Sequence, residues 1–351
     1  MPELAIATTA TSTPMGAQAY QAAITSRAQQ ALATASPEPW TVRSLVARSL
    51  RSDLPGNRRL PMARLFTASE RERRLLGRLV WPRSAVVHRM DLILPPPAGP
   101  DVVTLHDVVA WEFKDESAPV AAAASELRAA DAVICVSQFT AGEAERLLGL
   151  KDAVVIPNGV GEEYFSAVPL SPEQLTDVGL RQPYLLYAGG SAARKNLPGL
   201  AEAWRLVHDR LPEHSLALAG PRSPARDALF AGLPRVVHLG RLPDSFMPGL
   251  VAGAAAVVVP SLYEGFGLPV LEAMAAGVPL LSSNRSSLPE VVANAGTLVD
   301  PTGPALAEGM EYVALRSPAV IELVEVGRQR AAEFSWEASA ARHASVWASL
   351  A

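Results

Sequence analysis

A chain of 351 residues is too long for one ordinary domain and too short for three, so two units of Rossmann size are expected. Hydrophobic residues at 49% and charged residues at 19% exclude a disordered chain, and a net charge of only −4 excludes the overall basic balance of a nucleic-acid binder. The single cysteine, Cys135, excludes an internal disulfide and has no partner for a metal site, as fits a reducing cytoplasm.

Along the chain, short apolar runs alternate with segments of helical period, the pattern of a parallel sheet covered by helices and hence an α/β fold. In the first half the runs at 4–8, 85–88, 102–105, 132–136 and 153–156 are predicted strands. Open α/β sheets bind ligands beyond the carboxyl ends of their strands. That rule draws attention to Gly16 with its loop, His88, His106-Asp107, Ser137 and Asn158-Gly159. The segment 164–183, with Ser166, Pro169, Ser171 and Pro172, interrupts the alternation and reads as a connection between domains. A second series of strands is predicted at 184–188, 215–219, 236–239, 255–259, 280–282 and 297–299. The expected division is 1–168, 169–335, and a last helix in 336–351 that packs back on the first domain.

Residues 43–89 hold Arg43, Arg48, Arg51, Arg58, Arg59, Arg64, Arg71, Arg73, Arg74, Arg78, Arg83 and Arg89 against only Asp53, Glu70 and Glu72. Leu65, Phe66, Leu75, Leu76, Leu79, Val80 and Trp81 are interleaved with them. Two expectations stand side by side: contact with an anionic membrane face or an acceptor's phosphate, and an arginine-rich solvated helical surface. The apolar tract 252–260 is much shorter than the roughly 20 residues a spanning helix needs. The start of the chain also lacks a signal-peptide pattern, so a cytoplasmic enzyme, soluble or peripheral on the inner membrane face, is expected.

The stretch 257–277, VVVPSLYEGFGLPVLEAMAAG, reads as a buried strand, a loop with Gly265 and Gly267, and a helix entered at Leu268-Pro269. Its glycines let a ligand approach the backbone, and the free amides of the first helical turn suit a diphosphate or sugar oxygens. Glu264 in the loop and Glu272 about one turn into the helix can serve two parts of one elongated ligand, each accepting from vicinal hydroxyls. Taken singly, each glutamate is as well explained by helix electrostatics and solvation. A second strand-to-helix turn, YAGGSAARKNLPGL, places Gly189-Gly190 before Arg194-Lys195-Asn196, two adjacent cations able to neutralise a diphosphate. Its spacing is not a P-loop, and no G-x-G-x-x-G follows an early strand, which disfavours a dinucleotide oxidoreductase.

Arg194-Lys195-Asn196, the Glu264 to Glu272 arrangement and VIPNG at 155–159 together resemble the family-4 retaining glycosyltransferases. His106-Asp107, Ser137 and Phe334-Ser335-Trp336 also resemble that family, in the same order along nearly the whole chain. The resemblance implies a GT-B fold: two Rossmann-like domains facing across a cleft, the first for the acceptor and the second for a nucleotide sugar. Residue by residue it implies that Arg194 and Lys195 hold the donor phosphates, Glu272 the ribose hydroxyls and Glu264 the hydroxyls of the transferred sugar. His106 would face the reacting carbon. The backbone at Gly265, Phe266, Gly267 and Leu268 would support sugar and phosphate oxygens, the turn at Gly240-Arg241-Leu242 would meet the base, and Gly16, Asn158, Gly189 and Gly190 would complete the donor site. In two places the chain departs from the family. The glycine-rich N-terminal loop is reduced to Pro14-Met15-Gly16-Ala17, and a basic residue often found after the strand ending at Tyr187 is replaced by Gly189-Gly190-Ser191.

The reaction implied is hexosyl transfer with retention, the acceptor attacking the face from which the diphosphate leaves. A D-x-D and a cofactor site are missing, so neither metal nor cofactor is expected beyond the donor itself. RKNL and SLYEGFGLPVLEAMA resemble mannosyltransferases, which makes GDP-mannose the first expectation, a UDP-sugar the alternative, and a glycan or lipid-linked molecule the acceptor. Another GT-B activity, such as a nucleotide-sugar epimerase, and a catalytically silent GT-B scaffold are the competing readings.

Overall fold

The computed structural model describes residues 1–12, 16–83, 85–113 and 115–351. The chain divides into two compact units, 1–159 with 336–351, and 160–335. The first unit is built on strands β1 (Glu3–Thr9), β2 (Thr41–Ser49), β3 (Arg58–Leu60), β4 (Ala85–Arg89), β5 (Asp101–Leu105), β6 (Ala132–Cys135) and β7 (Val154–Val155). They form one parallel sheet in the order β3-β2-β1-β4-β5-β6-β7. The second unit holds β8 (Tyr184–Ala188), β9 (Ser215–Ala219), β10 (Val236–Gly240), β11 (Ala256–Val259), β12 (Leu280–Ser283) and β13 (Thr297–Val299). These also run parallel, in the order β10-β9-β8-β11-β12-β13.

The central strands are apolar runs buried along their whole length, as sheets covered on both faces require. β4 and β5 bury all five residues, and β11 and β12 all four. Two strands escape the apolar pattern. β2, TVRSLVARS, mixes exposed and buried positions, and β3 has three residues at the sheet edge. Both lie in the arginine-rich segment, whose charge hides a strand when sequence alone is read.

The expected boundary at 168 is corrected to 159. Residues 160–168 belong to the second unit because the short helix Glu162–Phe165 packs its Tyr164 against Glu272, and Leu170 donates its amide to the Gly249 carbonyl at 3.3 Å. The last helix, Trp336–Ala348, lies in the first unit, where it packs on the helix Gly16–Ala35.

The arginine segment, read as either a contact face or a solvated helical surface, is not solvated throughout. Arg73 and Arg89 are buried. Arg73 grips Glu126 through Nε–Oε1 at 2.6 Å and Nη2–Oε2 at 2.9 Å, and Arg89 grips Asp101 through bonds of 2.9 and 2.8 Å. Arg73 also donates to the carbonyls of Leu65, Leu92, Ile93 and Leu94, so a planar fork with five donors knits the loop after β4 to its neighbours. Leu65 and Trp81 are buried too, the indole donating to the Pro95 carbonyl at 2.7 Å. The exposed remainder centres on the helix Glu70–Val80, where Arg71, Arg74, Leu75, Arg78 and Leu79 share an outward stripe at spacings of three and four. No described helix is long and apolar enough to cross a membrane.

Candidate active site

In the second unit the strand order reverses between β8 and β11, which places the ligand crevice beyond the carboxyl ends of those two strands. The loops that follow them, 189–195 and 260–267, bring Arg194, Lys195 and Glu264 together. Lys195 Nζ donates to Glu264 Oε1 at 2.5 Å, Ser261 Oγ donates to the same oxygen at 2.8 Å, and Arg194 Nη1 stands 3.5 Å from Oε2. Burial alone would raise the Glu264 carboxyl. The adjacent Lys195 and Arg194 charges and the bonds from Lys195 and Ser261 outweigh it and hold the group below its ordinary value. Glu264 is thus a fixed carboxylate with two cations beside it.

The backbone that aims these side chains is over-determined. The Arg194 carbonyl accepts the Leu262 amide at 2.7 Å, locking one loop to the other. Asn196 sits in the left-handed region at φ 54°, and its Oδ1 caps the helix Leu197–Val207 by accepting from the Gly199 amide. Its Nδ2 donates to the Pro260 and Pro301 carbonyls at 3.1 and 2.8 Å. Behind Glu264, Ser286 Oγ accepts the Glu264 amide at 2.9 Å. The Ser287 hydroxyl lies 2.9 and 3.0 Å from the carbonyls of Glu264 and Phe266. Asn196 belonged to a motif the sequence pointed out, without a role. Ser261, Ser286 and Ser287 went unremarked, and their signal was a run of serines beside the carboxyl ends of β11 and β12.

Gly267 (φ 104°) opens the helix Leu268–Ala275, and no side chain caps it. A Cβ there would meet Leu288 Cδ2 at 2.7 Å, so glycine is required both for the backbone and for the space. Phe266 is buried with its ring 6.0 Å from that of Phe334. Glu272 faces a different neighbourhood from Glu264: it is half-buried and bonded to Tyr164. Burial, with a smaller contribution from the Glu163 charge, raises it to about 7 against the Tyr164 hydrogen bond. Tyr164 was expected in the interdomain connection and instead is part of this surface. Gly189 packs on Tyr187, whose hydroxyl donates to the Gly190 carbonyl at 2.6 Å. Beneath them the buried Arg226 donates to the carbonyls of Gly189, Ala219 and Pro221. Arg241 is exposed and Leu242 half-buried, just after β10 at the edge of the sheet.

The remaining predicted residues lie in the first unit. Gly16 is the exposed first residue of the helix Gly16–Ala35, while Pro14 and Met15 of its loop lie outside the described residues. Asn158 is buried, with Oδ1 lacking a hydrogen-bond partner. His106 follows β5. Its ring meets Tyr20 edge-on at 4.8 Å, its Nε2 is buried without a partner, and burial lowers its pKa to about 4, so the imidazole is neutral. Ser137 caps the helix Gln138–Leu148 through the Thr140 amide, a structural duty.

His88 is structural as well, one link in a hydrogen-bond chain whose direction is fixed at both ends. Trp347 Nε1 can only donate, and it donates to His88 Nδ1 at 3.3 Å, leaving the His88 proton on Nε2 to bond Thr104 Oγ1 at 2.8 Å. Thr104 then bonds Tyr20 Oη at 2.8 Å and Tyr20 bonds His343 Nε2 at 2.7 Å. The chain ends with His343 Nδ1 on the Ser339 carbonyl at 2.8 Å.

Comparison with known proteins gives the family and the fold. Residues 182–315 match the family described as Glycosyl transferases group 1, and residues 37–164 match Glycosyltransferase Family 4. The O-antigen chain mannosyltransferase B of Escherichia coli is 33% identical over 273 residues, 72% of this chain and 71% of that protein. A GDP-mannose-dependent alpha-(1-6)-phosphatidylinositol dimannoside mannosyltransferase of Mycobacterium tuberculosis is 28% identical over 60% of this chain and 56% of its own length. Other mannosyltransferases are matched over less than a third of their length. Among solved structures, Anabaena HepE in complex with UDP and glucose superposes with a TM-score of 0.73 at 18% identity, covering 99% of this chain and all of HepE. With its two parallel-sheet Rossmann-like domains of the GT-B class, the chain belongs to the family-4 glycosyltransferases.

Proposed function

We propose that the chain transfers mannose from GDP-mannose to a glycan or lipid-linked acceptor, with retention of configuration and without a metal ion. The observation that carries this reading is the Lys195–Glu264–Arg194 cluster at the switch point of the second sheet. As the anomeric C–O bond to the diphosphate breaks, negative charge develops on the departing oxygen, and Lys195 and Arg194 supply fixed positive charge where a metal would otherwise be needed. Lys195 exchanges Glu264 for phosphate, and the freed, ionised Glu264 accepts from sugar hydroxyls. The acceptor hydroxyl attacks the same face of the anomeric carbon and its proton passes to a donor phosphate oxygen, so no enzymic nucleophile is used. The neutral His106 imidazole of the first unit is available as a hydrogen-bonding group rather than a cation.

Mannose is favoured by the mannosyltransferases among the relatives, and GDP by the one whose description specifies GDP-mannose. A UDP-sugar is the second reading, favoured by the likeness to HepE, whose structure holds UDP and glucose. Calorimetric titration of GDP, UDP and dTDP without added metal separates them. GDP is expected to bind the wild type and to lose most of its affinity for Lys195→Ala, while turnover falls about a hundredfold or more. Binding of UDP alone would replace the donor; binding of none would favour the silent scaffold. The product's anomeric configuration, read by NMR, checks retention.

Peripheral membrane contact is proposed for the helix Glu70–Val80, where Leu75 and Leu79 are 60% and 81% exposed between Arg71, Arg74 and Arg78. The chain should float with anionic but not neutral liposomes, and Leu75→Glu with Leu79→Glu should abolish flotation. Equal recovery with both lipids would refute the contact.

A further inference from the structure

The first sheet has its own switch point. Its order reverses at β1, with β2 and β3 on one side and β4 to β7 on the other, so its crevice opens beyond the carboxyl ends of β1 and β4. A cleft of about 280 Å³ lies beside it, over the carboxyl ends of β1 and β2, lined among others by Thr9, Ala10, Arg48, Ser52, Met62 and, from the loop after β4, Ile93. That is just below the roughly 300–1,000 Å³ usual for small-molecule sites, room for one sugar ring with a substituent and too little for a dinucleotide.

The polar groups of this wall are unevenly satisfied. Arg48 Nη1 is anchored to the carbonyls of Ser52 and Leu54 at 2.9 and 3.1 Å, whereas Nε is buried with no hydrogen-bond partner. No carboxylate among the described residues forms an ion pair with Arg48. Arg48 is thus a cation of the cleft lining that Nη1 holds in place and no described carboxylate neutralises, and its charge suits an oxyanion. Thr9 gives its hydroxyl proton to Asp91, so the lone pairs of Thr9 are left to accept from a sugar hydroxyl. Ser52 Oγ accepts the Leu54 amide at 3.2 Å and keeps its own proton to donate. Met62 and Ile93 add an apolar wall suited to the C–H face of a pyranose.

We propose that this cleft is an acceptor subsite that takes one hexose ring bearing a phosphate, with Arg48 as the phosphate's partner. The inference rests on the glycosyltransferase reading and adds to it the chemical class of the acceptor. The phosphate can belong to a free sugar phosphate or to the linkage of a sugar carried on a lipid, and the two differ in whether the phosphorus carries an alkyl chain.

The test titrates mannose, mannose 1-phosphate and the octyl phosphodiester of mannose into the full chain. Mannose 1-phosphate should bind the wild type more tightly than mannose and lose about tenfold or more in Arg48→Met, the usual loss for one charge-assisted contact. Lys195→Ala should leave that binding intact while abolishing GDP binding, and Arg48→Met should do the reverse. Because Arg48 also holds the 52–54 loop, Ala10→Leu, which fills the cleft and leaves Arg48 in place, is the second variant and should block mannose 1-phosphate. Tighter binding of the octyl diester assigns the lipid-linked source, and tighter binding of the monoester the free one. Equal affinity for mannose and mannose 1-phosphate, absence of binding, or loss through Lys195→Ala instead of Arg48→Met and Ala10→Leu would overturn the proposal. Failure of GDP to bind would strike the donor reading separately.

Discussion

Glu264 and Glu272 were paired in the sequence by chemistry alone, and their surroundings separate them. Glu264 is held ionised by Lys195 and Arg194. Glu272 is half-buried beside Tyr164 and raised to about 7, so near neutral pH it is only partly a carboxylate. Ribose hydroxyls donate more strongly to a carboxylate than to a protonated acid, which keeps only an uncharged carbonyl acceptor, so a nucleotide held by Glu272 prefers the ionised form. Affinity must therefore rise with pH as the group loses its proton. From pH 8 to pH 6 the apparent affinity for GDP should fall by about tenfold, the fraction ionised at one pH below the midpoint. Glu272→Gln should bind weakly at both pH values and keep only the dependence that belongs to GDP's own phosphates. Calorimetry at pH 6, 7 and 8 measures both, and parallel profiles for wild type and variant would remove Glu272 from the ribose site.

At the scale of the element, the two strand-to-helix turns of the second unit are held in place by a residue that touches no predicted ligand. Asn196 caps one helix and ties the loops after β8 and β11, together with Pro301, through its amide. Asn196→Ala loses the cap, leaves the Pro260 and Pro301 carbonyls without this donor, and puts a Cβ without a compensating side chain at φ 54°. We expect a loss of about 2–4 kcal/mol, summing a cap with one or two buried hydrogen bonds. GDP affinity should fall with it, because the Lys195 backbone precedes the cap. Urea unfolding of wild type, Asn196→Ala and Asn196→Gly measures the loss, the glycine variant restoring the backbone freedom but not the bonds. A midpoint for Asn196→Ala within error of wild type would show that the loops are held otherwise. The turns themselves were legible because glycine, proline and the charged residues stand where a strand must give way to a helix. The serines behind Glu264 were not, since a hydroxyl that donates to a distant carbonyl leaves no periodicity. β2 and β3 were hidden for a related reason, their arginines reading as surface although Arg48 closes a cleft wall.

For the whole molecule, alternation of apolar runs and helical segments was sufficient to read two parallel sheets, because strands buried on both faces tolerate little else. Strand order, the 159–160 boundary and the burial of Arg73 and Arg89 depend on contacts between residues distant in sequence, which no local pattern encodes. The last helix illustrates the point: its Trp347 and His343 complete a chain of hydrogen bonds through His88, Thr104 and Tyr20 that spans the first unit. Each link has a direction, and protonating either histidine would place a second donor against an existing one. Burial lowers His343 to about 4 and His88 well below its ordinary value, the latter helped by the nearby His343, His106 and Arg89. These folded-state values lie below those of the unfolded chain, so the unfolded state binds more protons between about pH 6.5 and pH 4. Stability from these groups is whole above pH 6.5, falls as the pH drops, and is exhausted once the folded histidines also take protons. For His343 alone the loss by pH 4 is roughly 3 kcal/mol. Chemical denaturation followed by tryptophan fluorescence at pH 7.5, 6.0 and 5.0 should show the first unit weakening over that window. His343→Gln should be less stable at pH 7.5 but lose less on acidification, having one titrating group fewer. If its slope with pH matched the wild type's, the acid sensitivity would belong to other groups and the chain of hydrogen bonds would not set it.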